Sequence, residues 1–197
     1  MTGRQELLAA QSEQVAHLAA KTGSDLAHVR HVAVLAGALF DALTPLHGLA
    51  EPERTLLVHA SLLHDTGLWL NPAGHHRHSA YIVRHDILLA DYPPADRQLL
   101  ARLVRNHRRR PRPAPKSWPL DRRLTLLWLS ALLRTADGLD MRHDQAASLV
   151  AVRRKLHGLE LVIGGVDASR FDRALAKKAA LLGQLAGGPV RWRVASP

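Results

Sequence analysis

The segment SLLHDTGLWLNPAGHHRHSAY, residues 61–81, concentrates side chains that can bind a metal ion. It contains four of the 13 histidines of the chain and one aspartate, namely His64, His75, His76, His78 and Asp65. A histidine followed directly by an aspartate can present an imidazole nitrogen and a carboxylate oxygen to the same point. The aspartate can also bridge two cations through its two oxygens. The pair alone is a weak indication, so its interpretation depends on ligands from other segments.

Other predicted helices supply such partners. His28 lies on the preceding helix, and His78 and His107 each lie near a helix end. Asp137 occurs in the apolar segment LLRTADGLD, where an unpaired carboxylate is expensive to bury, and coordination of a cation would explain its presence. The order His, His-Asp, His, His, Asp therefore predicts a metal site assembled from several helices.

The chain contains no cysteine, which excludes disulfides and thiolate ligands. Any metal is then bound by imidazole, carboxylate and water, a ligand set that suits one or two ions of Mn, Fe, Ni, Mg or Zn. The lack of cysteine is compatible with a reducing cytoplasm. We find no signal-peptide core and no apolar run near the roughly 20 residues of a membrane span. We therefore expect a cytoplasmic protein without a membrane segment.

The spacing of apolar residues predicts a helical bundle followed by a small α/β appendage. Apolar residues recur at helical intervals, and Gly, Pro and Ser/Asp residues mark the breaks. After Asp144 the residues alternate in polarity, which predicts a hairpin around His157–Gly158 and a last short strand in PVRWRVA. We predict helices at about 5–20, 25–44, 52–66, 75–90, 95–107, 121–140 and 168–186. The expected division is a helical domain of residues 1–145 and a tail of residues 146–197 packed on it.

Five segments in this order resemble the HD superfamily of metal-dependent phosphohydrolases, and more closely the C-terminal HD domain of the exopolyphosphatase / guanosine pentaphosphatase family. They are LAHVRHVAVLAGALFDALTPLHGL, LLHDTG, GHHRHSAYIVR, NHRRRP and LLRTADGLD. The resemblance runs from about residue 13 to the end and implies a mainly α fold, an HD-type helical bundle with a small C-terminal α/β appendage. In that family, upstream actin-like ATPase-fold domains hold the residues that hydrolyse polyphosphate. The 197 residues contain no counterpart of them, so we do not carry that activity over.

The resemblance also implies roles for individual residues. The basic ligand set of HD proteins corresponds to His28, His64, Asp65 and Asp137. The additional histidines of two-metal HD proteins correspond to His78 and His107. Asp65 would then bridge two ions, and we expect Asp65 and His64 to be the catalytic residues. The implied reaction is hydrolysis of a phosphomonoester or phosphoanhydride of a nucleotide or another small phosphorylated metabolite by a metal-bridging hydroxide.

A basic loop follows His107, and the chain carries a net charge of +10. This charge favours polyanionic partners, including polyphosphate, although a soluble surface explains it equally well. Arg108 and Arg109 directly follow the expected ligand and are predicted to bind substrate phosphate, since guanidinium groups bind phosphate in a bidentate manner. Three more substrate-binding candidates are His75, His76 and Arg77. Capping or solvent exposure is an equally good interpretation for the two histidines, and an exposed position is the default for Arg77.

Two other functions stay open at this point. A non-catalytic module would hold polyphosphate or a nucleotide on the same basic surface without cleaving it. Nucleic-acid binding is the least favoured function, because no helix-turn-helix, aromatic platform or zinc finger accompanies the positive charge. The sequence does not determine the oligomeric state, and a homodimer is one option.

Overall fold

The computed structural model describes residues 3–195, with side chains from residue 7 onward. Within these residues a bundle of six α-helices is followed by three strands and a seventh helix. The helices are α1 (Gly3–Lys21), α2 (Leu26–His47), α3 (Glu51–Leu63), α4 (His75–His85), α5 (Pro94–Asn106), α6 (Leu120–Leu139) and α7 (Arg173–Leu185), and the strands are β1 (Ser148–Lys155), β2 (Gly158–Gly164) and β3 (Val190–Val194). The predicted fold class, a mainly α bundle with a small C-terminal α/β appendage, is confirmed.

Helix α2 is the centre of the bundle, because its apolar stripe packs against α3 and α6. The buried stripe includes Val29, Val32, Leu35, Ala36 and Leu39. Each fully buried Val or Leu side chain contributes roughly 1.5–3 kcal/mol relative to an exposed one. This packing fixes α2 as the support of His28, which is itself buried one residue before the stripe begins.

Helix α2 is also long and apolar enough, by length and composition alone, to cross a membrane. This differs from the sequence expectation that no run approaches the required length. Half of its most apolar window is buried inside the bundle, and the helix packs against two neighbours along its length. We therefore assign α2 as a core helix.

Two predicted helices are shorter in the structure. The helix predicted at 52–66 ends before His64 and Asp65, which lie in the following turn. The helix predicted at 168–186 starts only after Asp172, whose carboxylate accepts hydrogen bonds from two N–H groups of the first turn and so caps α7. The earlier end of α3 matters for function, because it places the side chains of His64 and Asp65 at a helix end, where backbone carbonyl groups lack intrahelical partners.

Two other predicted helices change at their C-termini. The helix predicted at 75–90 divides at Asp86, whose carboxylate accepts a hydrogen bond from the Leu88 N–H at 2.9 Å and begins a short 3-10 helix. Helix α2 continues through Pro45 and ends at Gly48, which adopts a φ of 64°. A left-handed glycine is a frequent helix terminator.

The appendage is a three-stranded sheet with the order β1-β2-β3. Strands β1 and β2 pair antiparallel through the predicted turn at His157–Gly158, where Gly158 has a φ of 98°. A Cβ atom there would lie 2.2 Å from the carbonyl oxygen of Pro189, so only glycine fits. Strand β3 runs parallel to β2, and α7 forms the crossover between them and packs on α6. The expected domain boundary at residue 145 stays a prediction.

A buried histidine, His59 of α3, connects α1 with the segment after α4. Its Nδ1 lies 2.5 Å from the hydroxyl of Tyr92, and its Nε2 lies 3.1 Å from the hydroxyl of Ser12. The residue is 2% exposed, and this burial lowers the pKa of His59 to about 4. Folding therefore favours the neutral imidazole.

We expect His59 to destabilise the fold in acid. Its pKa is lower in the folded chain than its ordinary value of 6.5. The unfolded chain therefore binds an extra proton between pH 6.5 and pH 4, and the stability present above pH 6.5 falls over that interval by about 3 kcal/mol. Urea unfolding measures the free energy of unfolding at pH 7.5 and at pH 4.0. The decrease between these two pH values should be smaller in His59→Gln than in wild type by about this amount. The exposed His157→Gln change is the control and should keep the wild-type drop. An equal drop in all three proteins would contradict this role of His59.

Candidate metal centre

The His64–Asp65 pair lies in the turn that ends α3, and a hydrogen bond there fixes which nitrogen of His64 is free. His64 is the C-cap residue, and its Nδ1–H donates to the carbonyl oxygen of Ser61 at 2.7 Å. The helix end leaves this carbonyl without an intrahelical partner. The lone pair is consequently on Nε2, which is buried without a hydrogen-bond partner and lies 3.6 Å from a carboxylate oxygen of Asp65.

Two more imidazoles are oriented in the same way. His107 follows α5 as its C-cap residue, and its Nδ1–H donates to the carbonyl oxygen of Val104 at 2.7 Å. His28 of α2 donates its Nδ1–H to the carboxylate of Asp140 at 2.8 Å. In each case the lone pair is on Nε2, and such outer hydrogen bonds orient the histidines of metal sites in this way.

His75 begins α4 and is brought to Asp65 by a close approach of two backbone segments at Gly67. A Cβ atom at Gly67 would lie 2.4 Å from the Ser79 nitrogen and 2.5 Å from the His75 carbonyl oxygen, so only glycine permits this packing. The Gly67 N–H also donates to the Ser79 hydroxyl at 2.8 Å. As a result, His75 Nε2 lies 3.1 Å from Asp65 Oδ1 and 3.1 Å from His107 Nε2.

The two oxygens of Asp65 face different pairs of histidines. Oδ1 lies 3.1 Å from His75 Nε2 and 3.6 Å from His107 Nε2. Oδ2 lies 3.6 Å from His64 Nε2 and 3.9 Å from His28 Nε2. A carboxylate that bridges two cations requires this arrangement, which agrees with the role expected for Asp65. The ligand role itself stays a prediction.

Both groups of ligand atoms fit a divalent cation. A metal–ligand distance of about 2.1 Å places neighbouring ligands about 3.0–3.4 Å apart, close to the separations around Asp65 Oδ1. The separations around Oδ2 are wider, and there His28 Nε2 and His64 Nε2 are buried without a hydrogen-bond partner. Unpartnered lone pairs beside a buried carboxylate are unfavourable unless a positive charge joins them. The residues present therefore fit one or two metal ions.

The surroundings of the centre favour ionised carboxylates, and burial favours the neutral forms of His28 and His107 by lowering their pKa values. Burial alone would raise the pKa of Asp65, but the neighbouring histidines, His64 first, overcome it and hold that pKa far below its usual range. Burial likewise opposes ionisation of Asp137, and the positive charge of Lys178 is the largest effect that lowers its pKa, to about 2. Burial holds the pKa of His107 well below 6.5. Ionised carboxylate and neutral imidazole are the forms that bind metals.

Asp137 lies beside the pair formed by His28 and His64. Its Oδ1 is 3.9 Å from His28 Nε2 and 4.0 Å from His64 Nε2. Its Oδ2 accepts a hydrogen bond from Lys178 of α7. The structure thus brings Asp137 together with the other expected ligands of this side.

Two residues of the centre are not among the predicted site residues. The Asp140 carboxylate holds His28 and also accepts the Gln145 N–H at 2.8 Å. Asp140 follows Asp137 by three residues at the same helix end, and this spacing could have identified it. Lys178 lies on a different element, and no spacing in the sequence relates it to the centre.

The structure places His75, and not His78, beside Asp65 and His107. The buried stripe of α4 consists of His75, Ser79 and Val83, four residues apart, and His78 lies to one side of it. His78 is half-buried and is in neither of the two ligand groups found among the described residues. His75, which the sequence suggested only as a substrate-binding residue, is therefore the candidate ligand that the structure brings to Asp65 in place of His78, and its metal role stays a prediction.

The arginine loop, residues 107–116, is held by buried polar side chains. The Asn106 side chain donates to the carbonyl of Arg112 at 3.1 Å and accepts from its N–H at 2.9 Å. The buried Arg134 donates to the carbonyls of Asn106 and Arg109, at 2.9 Å each. The backbone of the loop is thus fixed beside the centre by contacts that do not use the guanidinium groups of the loop.

This loop and the start of α4 enclose a cleft of about 520 Å³ whose lining contains no acidic residue. The lining includes six arginines, Arg77, Arg105, Arg108, Arg109, Arg110 and Arg112. His76 is also in the lining, and burial together with the charge of Arg105 lowers the pKa of His76 to about 4. The guanidinium of Arg108 lies 3.1 Å from His75 Nδ1, so the cleft opens next to the metal centre. The structure therefore brings four of the five predicted substrate-binding residues into one cleft, and His75 into the centre.

His75 and His78 of α4 should differ in their effect on metal content. We expect His75→Ala to lose about one of two bound Mn²⁺ equivalents, because it removes a buried ligand atom, and His78→Ala to keep both. Elemental analysis by mass spectrometry after loading and desalting measures this directly. Loss of metal from His78→Ala with retention in His75→Ala would restore the assignment from the sequence.

A comparison of the chain with protein-family models matches residues 11–164 to the model described as Ppx/GppA phosphatase, domain III. The matched segment contains His28, Asp65, His75, His107 and Asp137, and it ends in β2, before α7 begins. The family is one of phosphatases, which agrees with a candidate metal centre beside a cleft lined by arginines. The chain belongs to the Ppx/GppA phosphatase domain III family.

Proposed function

We propose that this protein is a metal-dependent phosphohydrolase that cleaves a phosphomonoester or phosphoanhydride of a nucleotide or another small phosphorylated metabolite. Its cofactors would be one or two divalent ions, Mn, Fe, Ni, Mg or Zn. The observation that carries the proposal is Asp65, whose two oxygens face two pairs of histidines next to a cleft lined by arginines. A protein that only binds a phosphorylated ligand would need the arginine-lined cleft alone, whereas hydrolysis would also need the metal centre.

The residues of the centre divide into two groups that share Asp65. His28, His64 and Asp137 would hold an ion at Oδ2, and His75 and His107 would hold one at Oδ1. When bound, such ions activate a water molecule as the nucleophile and neutralise charge on the phosphoryl group. Imidazole binds a metal in its neutral form and adds no charge of its own. The Nδ1 hydrogen bonds of His28, His64 and His107 would keep their ligand atoms in place.

The cleft would bind the parts of the substrate that do not react. Guanidinium groups bind phosphate oxygens through paired hydrogen bonds, and Asn106 and Arg134 fix the loop that carries four of the six arginines. A prearranged loop loses less conformational entropy on binding than a mobile one. Arg108 lies nearest to the centre and would contact the phosphate next to the scissile bond.

Removing the shared carboxylate should abolish turnover. Asp65→Asn keeps the shape of the side chain but removes its charge, so we expect loss of bound Mn²⁺ and a fall in kcat/KM of at least about 100-fold. The assay is release of phosphate from p-nitrophenyl phosphate, ATP and short polyphosphate. Asp41→Asn, which changes an exposed carboxylate paired with Arg54, is the control.

Retention of wild-type turnover in Asp65→Asn would contradict the mechanism. The second candidate function is a non-catalytic binding module. Saturable binding of polyphosphate by the metal-loaded wild-type protein, with no phosphate released, would favour it. The arginine cleft is the feature of the structure that makes this function worth testing.

Arg108 should act on substrate binding more than on the chemical step. We expect Arg108→Ala to raise KM about tenfold or more, as for loss of a hydrogen bond to a charged group, with a smaller change in kcat. Arg123→Ala, an exposed residue of α6, removes the same charge away from the cleft and serves as the control. Equal effects of the two changes would show that only net charge matters.

A further inference from the structure

Lys178 of α7 reaches into the metal centre from the appendage. Its ammonium group donates to the carboxylate of Asp137 and, at 3.2 Å, to the carbonyl oxygen of His107. The side chain is only 18% exposed, and that of Asp137 is 11% exposed. A lysine in this position lies within the centre, and the family match ends before it.

The packing of α7 on α6 fixes this contact. Leu175, Ala179 and Leu182 form the buried stripe of α7, and Lys178 lies beside it. A Cβ atom at Gly138 would lie 2.8 Å from a methyl carbon of Leu175 and 2.9 Å from Lys178 Cβ, so glycine allows the two helices to approach. Gly138, the residue that follows Asp137, therefore allows Lys178 to reach the Asp137 carboxylate.

The carboxylate of Asp137 is divided between two partners. Oδ1 faces His28 and His64, whereas Oδ2 is occupied by the ammonium group. The other nearby cation, Arg134, directs its hydrogen bonds to backbone carbonyls of the arginine loop. Among the described residues, Lys178 is thus the cation that is hydrogen-bonded to a carboxylate of the centre.

We propose that Lys178 is an internal counter-ion of the metal centre, which neutralises Asp137 in the metal-free protein and weakens divalent-cation binding on the His28–His64 side. This inference rests on the metal centre of the proposed function, but not on catalysis. A fixed ammonium beside Asp137 repels an incoming cation and keeps the second oxygen of the carboxylate from it. Without the ammonium, the metal-free protein would keep a buried carboxylate that no cation pairs with.

Lys178→Met should therefore change two properties in opposite directions. We expect the Tm of the metal-free protein to fall by about 5 °C or more. We expect the affinity for Mn²⁺ at one site, measured by isothermal titration calorimetry, to rise at least about tenfold. Lys178→Arg keeps the charge and should stay close to wild type in both measurements. Lys177→Met, at the exposed neighbouring position, should change neither.

The two readouts separate this role from others. A lower Tm with unchanged Mn²⁺ affinity would show that Lys178 only stabilises the fold through its ion pair with Asp137, and would overturn the proposal. Weaker Mn²⁺ binding in Lys178→Met would also overturn it, since the lysine would then support the metal. If wild type binds no Mn²⁺, both this inference and the proposed function fail. If affinity rises as expected but wild type hydrolyses no phosphoester, the inference stands and the catalytic function fails.

Discussion

A carboxylate buried among imidazole lone pairs governs the arrangement of the molecule. Asp65 is 7% exposed, and an ionised carboxylate at such a position is unfavourable unless positive charge or several donors compensate it. His28, His64 and His107 cannot donate from the side that faces it, because their protons are committed to acceptors on the other side of each ring. His75, whose Nε2 lies 3.1 Å from Asp65 Oδ1, can donate to one of the two oxygens. A cation bound where the helices converge would compensate the other.

Helix ends are what make such a centre possible in a bundle. His64 and His107 both follow the last residue of a helix, and each donates to the carbonyl three residues earlier. A helix leaves its last four carbonyls unpaired, so a single hydrogen bond completes the helix end and orients the ligand. At the end of α6, Asp140 plays the corresponding part by holding His28. The interactions that terminate these helices are therefore also the ones that orient the candidate ligand nitrogens, and we expect both properties to be lost together.

Local patterns predicted much of this arrangement. The stripe of α2 and the adjacency of His64 and Asp65 are properties of short segments, and the structure has them as expected. The choice between His75 and His78 is different, because both lie in the first turn of one helix and spacing does not say which faces Asp65. The contact of that turn with Gly67 decides it, and this contact joins two segments. The position of Lys178 was the least predictable from local sequence, since it depends on how α7 packs on α6.

The centre and the cleft carry opposite charges, and this has a consequence for ligand binding. Asp65 and Asp137 repel a phosphate group, and Lys178 neutralises only one of them, whereas the six arginines of the cleft attract phosphate. In the metal-free protein an anion is therefore favoured in the cleft and disfavoured at the centre. Divalent ions bound as proposed would reverse the sign at the centre, so that one phosphorylated ligand could span both regions. Under the proposed function, binding of phosphate and its hydrolysis would consequently be separable, and occupancy of the centre by metal would couple them.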